Sequence, residues 1–266
     1  MQVDLTNAAG FPLTLDTETG ELGGGGALRF SRVPRRLADL QPVLFEADGG
    51  TPDTEAYWTF PLLDAGPAAP TLDERDLTFS CVLLPPLKIG REFVKTQGHY
   101  HPPMPESDVP YPEVYTHLWG EPSLLLQRRL DDRPDRIDDC VLVELHAGDT
   151  ITIPPGYAHI LINRSSRPAA IAGLYSRAFA PTYDPVIRVA GAAYYLIDDA
   201  AAPVIPNPRY TDHPPLRRLT DLTGTRFAPP DPGWALWTSF LADPPRYDFL
   251  SDPTAARRRF ARETGS

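Results

Sequence analysis

A chain of 266 residues, 42% of them hydrophobic, is long enough to bury one large core, and its 32 prolines cut it into short segments that exclude long helices. The formal net charge of −10 argues against non-specific binding to nucleic acid or to an anionic membrane surface, yet leaves room for a locally positive pocket that takes a small anion. No uninterrupted apolar run is long enough to cross a bilayer.

The N-terminus, MQVDLTNAAGFPLTL, lacks the charged-then-apolar pattern of a signal peptide, which predicts a cytoplasmic protein. Residues 1–55 read as an extension of short strand-like pieces such as PLTLD, followed by a GGGG turn at 23–26. That turn has neither the Lys-Ser/Thr of a P-loop nor a strand–helix setting. A small basic helix is predicted in SRVPRRLADLQ, where Val33, Leu37 and Leu40 carry the apolar spacing.

From 56 to 200 the pattern is β throughout. Short runs rich in Val, Ile, Leu, Tyr and Thr alternate with Gly, Pro, Asp and Ser, which predicts an all-β sandwich or barrel. Cys81 and Cys140 both fall in apolar runs and are expected as buried, reduced thiols. Residues 201–266 form a proline-rich, partly helical appendage. PNPRYTDHPPLRRL reads as extended, while PGWALWTSFLADPPRYDFLSDP and TAARRRFARE read as short helices with aromatic anchors. The appendage is expected to pack on the barrel or across a dimer interface.

The strongest chemical signal lies in TQGHYHPPMPESDVPYPEVYTHLWGEP. His99 and His101 are two apart, so on a strand they share a face. Glu113 follows a proline-rich loop at the start of the next apolar run, where its carboxylate can return to the same place. A second block, GDTITIPPGYAHILIN, sets His159 just beyond a rigid Pro-Pro-Gly corner. Three imidazoles and one carboxylate suit one divalent transition metal, Fe, Mn, Ni or Zn, with positions left open for substrate. The plainer reading of any one of these histidines is a satisfied polar residue at a strand edge; their joint pattern favours the metal.

The two blocks resemble the paired motifs of the cupin superfamily, small jelly-roll barrels with a metal inside. Gly148, Pro154, Gly156, His159 and Asn163 fit the second motif at each position, whereas the loop between His101 and Glu113 is longer than the first motif usually has. LDTETGELGG, RRLADL, DLTFSCVLLPPLKIGREFVKTQGHYH, EVYTHLWG and TITIPPGYAHILIN together resemble the cupin-type glucose-6-phosphate isomerases, known mainly from archaea, over residues 10–198. The most specific piece runs from Gly90 to His101.

The resemblance implies a cupin jelly-roll barrel with terminal extensions, often a homodimer, acting on a sugar phosphate. It implies interconversion of an aldose phosphate and its ketose through an enediol. It places the metal on His99, His101, Glu113 and His159, and makes Glu113 the leading proton-transfer group. Thr96 and Gly98 would meet the phosphate, a hydroxyl donor beside a position where backbone can approach an anion. Tyr57, Tyr115 and Tyr175 fall at pocket tyrosines, although each also suits a core aromatic with a polar tip.

Two departures stand out. Val82 occupies the place of a phosphate-contacting threonine, and Pro181 stands where the family carries a Gly-His pair. By strand alternation His117 shares the face of Glu113 and Tyr115, and is expected to help form the pocket and to replace a missing polar group. Lys95 and Arg177 are candidate phosphate counter-charges or exposed surface cations; His146 and His213 are expected in solvent. Two rival readings of the same site are oxygen-dependent oxidation at the metal and a sugar-binding cupin without turnover.

Overall fold

The computed structural model describes residues 1–24, 26–46 and 50–261. The N-terminal strands are β1 (Gln2–Asp4), β2 (Leu13–Asp16), β3 (Glu21–Gly24), β4 (Arg29–Phe30) and β5 (Val33–Arg36). The central run holds β6 (Glu55–Asp64), β7 (Leu77–Leu84), β8 (Lys88–Ile89), β9 (Glu92–Phe93), β10 (Glu113–Trp119), β11 (Pro122–Arg129), β12 (Ile137–Glu144), β13 (Thr150–Ile153), β14 (Tyr157–Asn163) and β15 (Ala169–Ser176). Then come β16 (Tyr194–Leu196), β17 (Val204–Pro206) and β18 (Arg217–Leu219).

Two sheets make the barrel. One runs β13-β10-β15-β7-β6-β4, with β5 also on β6; the other runs β14-β11-β12-β18. Its central strands are antiparallel, and the first sheet takes strands from distant parts of the chain. Tyr57, Leu84, Tyr115 and Ile171 from the first sheet meet Leu124, Leu126, Val141 and Leu161 from the second in one interior core.

The outer faces are covered as well. On the first sheet Phe79, Cys81, Val114 and Leu174 lie under Leu13 and Leu15 of the N-terminal hairpin and under Trp237, Phe240 and Tyr247 near the C-terminus. Trp237 crosses Phe79 edge-on at 5.1 Å and Phe11 at 5.7 Å. On the second sheet Leu125, Cys140, Leu142 and Ile160 are covered by Tyr194, Leu196 and Tyr210. Strands covered on both faces need no polar alternation, which explains the continuous apolar runs. Cys81 and Cys140 are free and buried on opposite outer faces, as expected.

The appendage helices form at Leu236–Ala242 and Pro253–Phe260. The remainder of the expected basic helix beyond 261, and one glycine of the GGGG turn, lie outside the described residues. The expected helix over SRVPRRLADLQ forms only in its second half. Leu37–Leu40 is α-helical and runs on into a 3-10 turn at Gln41–Val43, while Val33–Arg36 pairs with β6, Val33 opposite Thr59 and Arg35 opposite Tyr57. Pairing with a strand far along the chain outweighs local spacing there, and Val33 is left exposed.

Candidate metal centre

His159 is the third residue of β14, and the turn before it is fixed by composition. The Pro154 carbonyl accepts the Tyr157 N–H at 3.3 Å, with Pro155 and Gly156 between them. Gly156 has φ +83°, the left-handed value the third position of a type II turn requires. His99 and His101 come from an irregular segment joined to β14 by an isolated bridge, in which His159 N–H donates to the His99 carbonyl at 3.3 Å. Glu113 opens β10, opposite Ile153 on one side and Tyr175 on the other.

The long loop between His101 and Glu113 closes on itself. Tyr111 N–H donates to the Pro102 carbonyl at 3.1 Å and Met104 N–H to the Val109 carbonyl at 2.9 Å, so the extra residues fold away and Glu113 returns to the histidines. One ligand atom from each of His99, His101, Glu113 and His159 lies within 4.8 Å of every other. His101 Nε2 is 3.2 Å from His99 Nε2 and 3.6 Å from Glu113 Oε2, and His159 Nε2 is 3.4 Å from that same oxygen.

Three features fit this set to a dication. His101 Nδ1 donates to the Tyr111 carbonyl at 2.9 Å, which turns the Nε2 lone pair toward the cluster. His159 is buried, and its Nε2, the nitrogen turned to the cluster, has no hydrogen-bond partner among the described residues, an unmet lone pair that a ligated metal would take up. Titration behaviour agrees. Burial pushes His101 down to about 4 against the pull of the Tyr111 carbonyl; burial first, then neighbouring imidazoles, hold His99 and His159 well below the usual value. All three rings are thus neutral, the form that binds metal. Burial also pushes the Glu113 carboxyl up to about 8, partly opposed by a hydrogen bond from Tyr115, because no positive charge faces it in the protein alone.

Two adjoining cavities open on the cluster. One of about 70 Å³ is lined by Tyr57, Thr96, Gln97, Gly98, His99 and His159 among others; the second, about 470 Å³, reaches His101, Glu113, Tyr175 and Pro181. Their walls share Arg35, Thr59, Val82, His99, Tyr115 and Tyr183. Thr96 Oγ1 accepts the Leu161 N–H at 3.0 Å, leaving its own O–H to donate. Gly98 has φ +78°, and a Cβ there would meet Ile160 Cγ1 at 2.6 Å. The Tyr57 hydroxyl accepts the Gln97 N–H at 3.5 Å, and burial pushes its pKa up to about 12. Burial also raises Tyr175, and raises Tyr115 well above the ordinary value, so all three phenols stay protonated.

The structure therefore brings Tyr57, Thr96, Gly98, His99, His101, Glu113, Tyr115, His159 and Tyr175 together and separates others. His117 points inward, opposite Ile171, but is fully buried and lines neither cavity; both of its ring nitrogens lack hydrogen-bond partners among the described residues. Lys95 is neither exposed nor a free counter-charge: it is 5% exposed, bonded to Glu92 and to the Val43 carbonyl. Arg177 stands at the rim of the larger cavity, paired with Asp73 and Asp76. His146 is exposed as expected, whereas His213 is half-buried against the Tyr194 hydroxyl at 3.1 Å. Residues that spacing did not single out are Arg35, Thr59, Gln97 and Tyr183, whose ring lies 5.3 Å from His99, and Phe179, 4.3 Å from the His101 ring.

A two-sheet antiparallel barrel with three histidines and one glutamate converging inside it is a cupin. The family model described as glucose-6-phosphate isomerase matches residues 34–211, and the chain belongs to that family of isomerases. It is 28% identical to glucose-6-phosphate isomerase of Thermococcus gammatolerans over 209 residues, 76% of this chain and 96% of that one. It is 27% identical to the Pyrococcus furiosus enzyme of the same name over 207 residues, 75% of this chain and 96% of that one. A solved oxalate oxidase in complex with the substrate analogue glycolate overlaps 37% of this chain and 41% of its own, at 18% identity and a TM-score of 0.28, too slight a likeness to carry an argument. Among the described residues no helix is long and apolar enough to cross a membrane.

Proposed function

We propose that the protein is a divalent-metal-dependent aldose–ketose isomerase that interconverts glucose 6-phosphate and fructose 6-phosphate. The observation that carries this reading is the convergence of His99, His101, Glu113 and His159 within 4.8 Å beside a cavity walled by protonated phenols and a free hydroxyl donor. His99, His101, Glu113 and His159 would hold the metal, which supplies Lewis acidity to the sugar oxygens at C1 and C2.

The chain's own groups do the rest. Isomerisation removes a proton from C2 of the aldose and returns one to C1, while the hydroxyl proton on O2 moves to O1; aldose and ketose have the same atoms. Glu113 is the group placed to carry the carbon proton, its carboxyl held by the Tyr115 hydroxyl. The phosphate end lies toward Thr96, Gly98 and Tyr57, where a free O–H and a Cβ-less backbone can meet an anion. Tyr175 and Tyr183 line the approach.

The test is a coupled assay converting fructose 6-phosphate to glucose 6-phosphate, on metal-stripped protein reloaded in turn with Fe(II), Mn(II), Ni(II) and Zn(II). Turnover is expected with at least one metal. In His159→Ala it should fall by more than the roughly 100-fold that changes around a metal's ligands cost. Stoichiometric metal binding without turnover under any metal would overturn the reading.

A further inference from the structure

The stretch 29–36 carries four arginines, and three of them are neutralised. Arg29 pairs with Asp64 at 2.8 Å, Arg32 with Glu21 at 2.6 Å, and Arg36 with Asp53 at 3.0 Å. Arg35 differs. It stands on β5 opposite Tyr57 and lines both cavities. Its Nε is buried without a hydrogen-bond partner, and it makes no ion pair among the described residues. Arg35 is half-buried, and a guanidinium with an unmet Nε and no carboxylate beside it is open to an anion that enters the cavity it lines.

The surroundings define what would enter. Among the described residues no carboxylate lines the smaller cavity, and Arg35 is the one permanently charged group on its wall, in a protein whose net charge is −10. The same wall carries the free Thr96 O–H and Gly98. It also carries Val82, whose side chain has no donor to offer. The other basic candidates are spent: Lys95 on Glu92 and the Val43 carbonyl, Arg177 on Asp73 and Asp76. Guanidinium geometry matches a phosphate monoester through two parallel hydrogen bonds.

We propose that Arg35 is the counter-charge that seats the substrate's phosphate, a charged donor where the Val82 side chain supplies none, and so selects phosphorylated over free sugars. This inference rests on the sugar-phosphate reading of the site, and its test separates the two. Arg35→Gln and Arg35→Met, the latter keeping the packing of the aliphatic stem, would be compared with wild type and with Arg36→Gln as a paired neighbour. All are metal-loaded, with metal stoichiometry checked. The measurements are KM and kcat for fructose 6-phosphate, and calorimetric affinity for inorganic phosphate.

Both Arg35 variants should raise KM and weaken phosphate about 10- to 100-fold, the worth of a charged hydrogen bond, with kcat changed only a few-fold. Arg36→Gln should match wild type. Unchanged KM and phosphate affinity in either Arg35 variant with full metal would overturn the proposal. So would equal losses in Arg36→Gln. If wild type turned over no hexose phosphate yet bound phosphate in an Arg35-dependent way, the isomerase reading would fall while the anion site stood.

Discussion

His159 and the His99–His101 pair reach the same point by opposite routes. His159 sits in a regular strand, paired with Leu126 of β11, three residues beyond a Pro-Pro-Gly turn that sets its direction. The pair stands on a segment with almost no ladder of its own. Thr96 N–H donates to the Leu161 carbonyl at 2.9 Å and Tyr100 N–H to the Thr182 carbonyl at 3.1 Å, while the His101 ring is aimed by the Tyr111 carbonyl from the long loop. One ligand is placed by neighbours in sequence. The others are placed by chain that arrives from far away, and they inherit every weakness of that packing.

The loop is where this difference can be broken. Met104 is 1% exposed and lies in the same buried cluster as Tyr111, Phe249 and Leu250, and Arg257 of the appendage reaches Asp108 of the loop that orients His101. Met104→Ala should cost about 2–5 kcal/mol of stability by denaturant unfolding. It should also weaken metal binding about 10-fold or more, as expected when a ligand's orienting partner is loosened. A stability loss with metal affinity intact would show that His101 is set without the loop. Gly156→Ala tests the other side. An added Cβ would meet nothing nearer than Arg128 Cγ at 4.0 Å, so the cost is backbone strain alone, about 1–2 kcal/mol at φ +83°. A urea midpoint unmoved by that substitution would mean the corner does not fix His159.

The same contrast explains what could be read from sequence. The alternating runs and the Pro-Pro-Gly turn are local, so the barrel and His159 were legible; the His-x-His pair was read as if on a strand, yet it stands on an irregular segment, and what returns Glu113 to it is a loop closure that spacing does not show. Arg35 was not. Val33, Leu37 and Leu40 fit a helix, and only β6, with Thr59 opposite Val33 and Tyr57 opposite Arg35, turns that stretch into a strand facing the cavity. Lys95 was misjudged for a related reason: the Val43 carbonyl that helps bury it comes from a distant segment. Strand alternation rightly turned His117 inward, but alternation says nothing of depth, and opposite Ile171 the interior is packed rather than open.

The smallest expected effect bears on how the appendage grips the loop. The helix Pro253–Phe260 begins with Asp252 capping Thr254 N–H at 2.7 Å, and its Arg257 reaches Asp108 at the loop's far side. Both partners are more than half exposed, so water and salt screen the pair. A double-mutant cycle of Asp108→Ala and Arg257→Ala should return a coupling of about 0.2–1 kcal/mol that shrinks as salt is raised. The buried cluster that Met104 and Tyr111 share with Phe249 and Leu250 would then be the true clamp, with charge only refining its register. A larger, salt-insensitive coupling would invert that order and make the ion pair the link between appendage and metal centre.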